Sequence, residues 1–322
     1  MRARRSGAAG VLLLGWCLMA CGGPQGGRGP RPGGDLARGE MLIEQGDWAG
    51  AAEVFREMLA ASPRDARINY YFALTQENTG DPQSAEEHYR RALEIDPQLL
   101  EARNNLGLIM LDRGDAIGAE AELALFIEAR PDEAAAHYNY GLALDALGRD
   151  TEAREHFEKA LSLDPDDPAP LMGLADMARV AGDSERAVDL YRRAVSVAAG
   201  DPLPALGLGQ ALLDLRRVDE AASVLVKVGA AKGADAQVIT TAGMLLARYN
   251  EDEAAISLYR EALERDADYP TAILLMANAL ARKGEFDEAA TLFGRFLELQ
   301  PEAPEAAAAR AGLEACRAKQ KR

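Results

Sequence analysis

An alanine recurs every 34 residues along most of this 322-residue chain: Ala51, Ala85, Ala119, Ala153, Ala187, Ala221, Ala255 and Ala289 keep the spacing without a slip. Even if about one residue in five were alanine, eight hits in eight would arise by chance about three times in a million. A strict period of this length marks one supersecondary unit repeated in tandem. Each unit buries its faces only against its neighbours, so the chain must stack units in line rather than close around one core. Repeats begin at residues 32, 66, 100, 134, 168, 202, 236 and 270, with no insertion.

Neighbouring columns describe the unit. Twelve residues before each alanine stands a small residue: Gly39, Ala73, Gly107, Gly141, Ala175, Gly209, Gly243 and Ala277. Four residues after it stands a large one: Phe55, Tyr89, Leu123, Phe157, Tyr191, Leu225, Tyr259 and Phe293. The second spacing is one helical turn, so alanine and large residue share a buried stripe, and the small residue lets a paired helix approach it. Between the two helices comes a residue suited to the left-handed conformation, glycine at 46, 80, 114, 148, 182 and 284, with Asn250 as substitute and Arg216 as exception. Asp47, Asp81, Asp115 and Asp183 follow and are placed to cap the second helix. Pro63, Pro97, Pro131, Pro165 and Pro301 end it, whereas Ala199, Gly233 and Ala267 break that column. The sixth and seventh repeats are the most degenerate. A composition rich in Ala, Leu, Glu and Arg with only 6% aromatic residues agrees with helices rather than sheets.

The N-terminus has a different grammar. Arg2, Arg4 and Arg5 precede an apolar run from Val11 to Met19, and a Gly- and Pro-rich stretch follows. This is the anatomy of a signal peptide, residues 1–20, and its apolar part is well short of the ~20 residues that span a bilayer. Leu18-Met19-Ala20-Cys21 resembles the lipobox of bacterial lipoproteins, although Met19 departs from its usual small or β-branched residue. The resemblance implies a diacylglycerol on the Cys21 sulfur and cleavage ahead of it. Two or three acyl chains at about 0.8 kcal/mol per buried CH₂ hold a protein at a membrane without any spanning segment. Gly22, rather than Asp, implies by the same resemblance sorting to the outer membrane; the residue does not fix the face, for which the periplasmic side is the expectation. Residues 21–34 read as the lipidated cysteine and a flexible tether, because ten of the thirteen residues from Gly22 to Gly34 are Gly or Pro.

The columns from residue 32 to 303 resemble the tetratricopeptide repeat. That family's fold implies an all-α, right-handed superhelical solenoid of about eight helix-turn-helix repeats within residues 35–303. Residues 304–322 then form a capping helix and basic tail. Arg38 stands in a column that is otherwise mostly apolar, which predicts a weaker first helix in the first repeat. In this family the first helices line a concave groove that takes extended peptides or a partner's helix. The groove positions here carry Arg67, Tyr70, Tyr71, Asn104, Asn105, Tyr138 and Asn139, then the more apolar Met172, Leu206, Met244 and Leu274. Asn105 and Asn139 occupy equivalent positions, and an amide that both donates and accepts suits a peptide backbone. The apolar later positions suit an amphipathic helix. A dicarboxylate clamp of the kind found in chaperone-binding relatives needs several basic residues on this face, and only Arg67 meets that need.

Charge and chemistry narrow the function. Removing the first twenty residues leaves 33 basic against 52 acidic residues, a field that disfavours nucleic acid and anionic surfaces. His88, His137 and His156 have no zinc-ligand spacing, and Cys316, in the last helix, has no catalytic neighbour in sequence. Gly207-Leu208-Gly209 lacks the remaining elements of a phosphate loop. No enzyme, cofactor or metal is expected. The expected function is a scaffold or assembly factor that binds envelope proteins. It resembles the tetratricopeptide lipoproteins of type IV pilus secretin assembly, or alternatively those that act as adaptors for peptidoglycan hydrolases and proteases.

Overall fold

The computed structural model describes residues 32–198 and 200–320, so the signal peptide, Cys21 and the tether up to residue 31 lie outside the described residues. The described residues form seventeen α-helices and no strand. The first helices of the repeats are α1 (Pro32–Glu44), α3 (Ala66–Asn78), α5 (Leu100–Asp112), α7 (Ala134–Ala146), α9 (Pro168–Val180), α11 (Pro202–Asp214), α13 (Ala236–Ala247) and α15 (Pro270–Lys283). The second helices are α2 (Trp48–Ala61), α4 (Pro82–Ile95), α6 (Ala116–Ala129), α8 (Asp150–Leu163), α10 (Ser184–Val197), α12 (Val218–Ala230), α14 (Asp252–Arg265) and α16 (Phe286–Leu299), and α17 (Ala306–Gln320) closes the array. Helix α1 opens at Pro32, so the last three residues of the expected tether are helical. A first turn leaves its N–H groups without helical partners, so proline at its head removes no bond.

The repeated columns explain the packing. All eight alanines of the 34-residue period are fully buried, and the large residues four positions on are at most 2% exposed. A Cβ added at Gly39 would lie 2.3 Å from Phe55 Cζ, at Gly107 2.6 Å from Leu123 Cγ, and at Gly209 2.4 Å from Leu225 Cδ2. The small column therefore exists because the large side chain of the same repeat fills the space a methyl would need.

The turns follow the same logic. Asp47, Asp81, Asp115 and Asp183 accept from the backbone N–H three residues on, at 2.9–3.2 Å, and so cap their second helices. Asp65, Asp167, Asp201 and Asp235 cap first helices, accepting from a backbone N–H two or three residues on, a column absent from the sequence expectations. Arg216, the exception among the turn glycines, still takes the left-handed conformation at φ 61°, close to Asn250 at 64°. Its guanidinium stands 5.5 Å from the centre of the Tyr249 ring, which offsets part of the strain.

Internal packing divides the chain into two compact units, one running to Leu163 with four repeats and one starting at Asp164 with four repeats and α17. In the second unit each first helix touches the next, α9 to α11, α11 to α13 and α13 to α15, and α15 in turn touches α17. Among second helices of the described residues only α12 and α14 pack as closely. Within the second unit the first helices thus form a continuous row. In the first unit α5 packs on α7, and Asn139 Nδ2 donates to Asn104 Oδ1 across that contact at 2.7 Å.

A polar clasp closes three helix pairs of the first unit. Asn69, Arg103 and His137, spaced by one period, each donate to the carbonyl of the preceding proline, Pro63, Pro97 and Pro131, at 2.8–3.2 Å. Each also meets a second-helix partner: Asn69 Oδ1 accepts from His88 Nδ1 at 3.0 Å, and Arg103 pairs with Glu122 at 2.7 Å. His137 uses its Nε2 proton on Pro131, so its Nδ1 accepts the Nδ1 proton of His156 at 3.0 Å. His88 and His156 therefore have structural partners in the helix pairs that hold them.

Candidate interaction face

Helical spacing from Tyr70 defines one face shared by the first helices of the first unit. Steps of three and four residues lead from Tyr70 to Leu74 and Glu77 on α3, from Asn104 to Leu108 and Asp112 on α5, and from Tyr138 to Leu142 and Asp145 on α7. The Tyr70 ring is half-buried, edge-on to Tyr71 at 5.2 Å and tilted against Tyr89 at 5.9 Å. Burial raises its phenol well above the usual value. The Tyr138 ring leans on Phe157 at 5.6 Å. Both tyrosines thus rest on the core column and keep one side outward.

Several residues expected in the groove join repeats instead. The Tyr71 ring stacks on Phe55 of the preceding repeat at 5.2 Å, and its hydroxyl donates to Glu40 at 2.6 Å. The expected asparagine ladder is committed internally. Asn139 donates to Asn104, Asn104 donates to Asn105 at 3.1 Å, Asn105 donates to the Tyr89 hydroxyl at 3.0 Å, and that hydroxyl donates to Glu77 at 2.8 Å. Buried and half-buried amides bond one another because an unpaired one in that setting costs about 1–3 kcal/mol. These bonds use one N–H of Asn139 and one N–H and the oxygen of Asn105, so less of each amide is left for a peptide backbone, the role anticipated for them. Arg67 is exposed but lies 3.4 Å from Glu40, so even the single candidate for a carboxylate clamp is paired.

This face is also acidic, a feature absent from the sequence expectations. The first helices of this unit carry Asp35, Glu40, Glu44, Glu77, Glu101, Asp112 and Asp145 against Arg38, Arg67 and Arg103. Burial, reinforced by the neighbouring Asp112 charge, raises the Glu77 carboxyl above the usual range, while its bond from Tyr89 works the other way. Burial raises Asp112 as well. Continuing by helical spacing from Tyr70 and Asn104 finds both. Without that step the acidic surplus is visible only as a property of the whole chain.

The second unit presents a different surface. Met172, Leu206 and Leu274 are half-buried on its first helices, Met244 is 39% exposed, and Val180 and Leu203 are 73% and 41% exposed. Arg179 and Asp214 pair at 3.5 Å, so these two charges largely cancel. A shallow hollow is lined by Ala247, Tyr259, Leu275, Asn278, Ala281 and Arg282. Burial pushes the Tyr259 phenol there up to about 12. The apolar character read from the sequence for these positions is therefore present at the surface.

Among the described residues no group of three or more His, Cys, Asp or Glu is placed to hold a metal ion. No helix among them is long and apolar enough to cross a membrane. Cys316 is buried, and burial raises its thiol above the usual value.

Three family models, each described as tetratricopeptide repeat, match residues 38–187, 172–236 and 245–313. No curated protein matches the chain. Among solved structures, that of yeast Tom70 superposes with a TM-score of 0.67 at 21% identity, covering 92% of this chain and 66% of that one. A tetratricopeptide repeat protein from Parabacteroides merdae ATCC 43184 gives 0.61 at 16% identity over 77% of this chain and 98% of its own. Pseudomonas aeruginosa pilF gives 0.54 at 19% identity over 69% and 97%. This chain thus spans about two thirds of the yeast chain's length, and at these identities the likeness is one of fold.

Proposed function

Because the chain belongs to the tetratricopeptide-repeat family, an all-α solenoid fold suited to protein–protein interaction, we propose that it is a non-catalytic scaffold of the cell envelope whose first-helix face holds a partner protein. The observation that carries this reading is the surface of that face. Tyr70 and Tyr138 in the first unit, and Val180, Leu203 and Met244 in the second, keep large apolar groups partly or largely outward on first helices. Apolar surface repeated along one side of a solenoid is where these arrays engage segments of other chains.

The envelope setting is supported by the N-terminal sequence. Cys21 behind Leu18-Met19-Ala20 is the lipid acceptor of this proposal, Gly22 suits the outer membrane, and the periplasmic face is part of the proposal. Within that setting the partner is a component of type IV pilus secretin assembly. Deleting the chain is expected to abolish secretin multimers; unchanged multimers with altered cell-wall turnover would replace this assignment with an adaptor for cell-wall hydrolases.

The binding role itself is tested by a photo-crosslinking amino acid at position 70 or 138, with position 57 on α2 as a second-helix control. Shared adducts from 70 and 138 that are missing from 57 are expected. A blank from both first-helix positions would refute the role.

A further inference from the structure

We infer, resting on the binding role just proposed, that the first unit takes a lysine- or arginine-bearing segment of its partner protein, the cation seated at Glu77 and Asp112 beside the Tyr70 ring. Three independent features converge there.

The first is pairing. On the second helices of the two repeats that carry Glu77 and Asp112, some acids are paired, such as Glu122 with Arg103 at 2.7 Å, and others, such as Glu87, Glu94 and Glu128, are not. On the first helices α3 and α5 the remaining acid, Glu101, pairs with Arg130 at 3.5 Å. Among the described residues Glu77 and Asp112 themselves have no ion pair, and Glu77 receives only the neutral hydroxyl of Tyr89.

The second is their position along the helix. A helix C-terminus carries partial negative charge, and its last turn favours Lys or Arg. None of α1, α3, α5 and α7 has a basic residue in its last turn. That turn instead holds Glu44, Glu77, Asp112 and Asp145, one on each helix. In the second unit α9 has Arg179 there and α15 has Arg282 and Lys283, while α11, which ends on Asp214, and α13 have none. The first unit therefore lines up carboxylates where its own backbone opposes them, and burial adds to that opposition by raising the proton affinity of Glu77 and Asp112. A cation delivered by a ligand satisfies both the carboxylates and the helix ends.

The third is the apolar floor. Tyr70, Leu74, Leu108, Tyr138 and Leu142 are all partly exposed on the same helices as these acids. Alkyl stems of Lys or Arg pack on such a surface while their heads reach the carboxylates, and an aromatic face attracts the cation itself. With the asparagines partly engaged in their own hydrogen-bond chain, charge and aromatic contact are the larger part of what this face offers a ligand.

The experiment uses the full chain and fluorescence anisotropy with a labelled amphipathic Leu–Lys peptide, against a Leu–Gln peptide of equal length. The Lys peptide is expected to bind at least about tenfold more tightly, and E77Q/D112N to remove about that factor. The charge-matched outer variant E57Q/E94Q is expected to change affinity less than about twofold, which separates a site from diffuse attraction to an acidic protein. E77Q/D112N should also melt no lower than the parent, because the amide that replaces the Glu77 carboxylate still accepts from Tyr89 while the unfavourable charges are gone; a purely structural role would lower it. Equal affinity for the two peptides, or equal losses from both double variants, would overturn the inference. Crosslinking from positions 70 and 138 that succeeds while peptide selectivity fails would sink the cation alone; blank crosslinking would sink the binding role with it.

Discussion

Two Gly→Ala substitutions in helix interiors should move stability in opposite directions. At Gly141 in α7 an added Cβ would lie 2.7 Å from Phe157 Cε1, 2.8 Å from Cδ1 and 3.4 Å from the Ala153 carbonyl oxygen. Phe157 is 1% exposed, so its ring has nowhere open to go, and the helix behind it is held by the buried Ala153. Overpacking of this kind costs about 1–3 kcal/mol, while replacing a mid-helix glycine by alanine returns about 1 kcal/mol. G141A should therefore be less stable by up to about 2 kcal/mol. At Gly294 in α16 the same Cβ meets nothing within 4 Å, so only the propensity gain remains and G294A should be more stable by up to about 1 kcal/mol. Urea midpoints followed by circular dichroism measure both, and amide exchange of α7–α8 and α16 shows whether each effect stays near its repeat, as expected of a linear array. If G141A proved as stable as G294A, the account of the small column as space reserved for the large one would be refuted.

Other outcomes follow from the same geometry. Arg216→Gly should raise the melting temperature, since relieving a left-handed arginine returns about 1 kcal/mol and losing the Tyr249 contact takes back about half of that; a fall would show that the ring contact dominates. Burial and the neighbouring His137 hold His156 below its ordinary pKa, while Glu155 and Glu152 oppose the shift, so the native state prefers the neutral ring. That contribution is complete above the ordinary histidine value and is lost as pH falls through the depressed one. Amide exchange in α7–α8, corrected for intrinsic rates, should therefore quicken below about pH 6.5 while α5–α6, clasped by Arg103 and Glu122, stays unchanged. Cys21→Ser should shift the protein from the membrane to the soluble fraction, and unaltered sedimentation with membranes would count against a lipid anchor.

The columns legible in the sequence are those whose cause lies within one repeat. The alanine stripe, the small residue facing the large one, the left-handed turn and the aspartate caps of the second helices each depend on neighbours along one helix pair, so period and residue type suffice to read them. The asparagines are not legible for the opposite reason. What occupies Asn139 is Asn104, one period and one residue away, and a bond between adjacent helices leaves no mark in a single column. Tyr71 reads as a groove residue for the same cause, since its stacking partner Phe55 belongs to the repeat before it. Glu77 and Asp112 sit at different positions of their repeats and meet only because α3 and α5 belong to neighbouring repeats, so no column joins them. Nor does the unbroken period distinguish the junction after Leu163 from any other.

The central claim is that the first-helix face, rather than the outer helices, holds the partner. Its most direct measurement is a hydrogen-exchange footprint of the full chain with and without the protein captured by crosslinking. Protection concentrated in α3, α5 and α7 is predicted, with α4, α6 and α8 unchanged. Protection confined to α4, α6 and α8 would contradict the account.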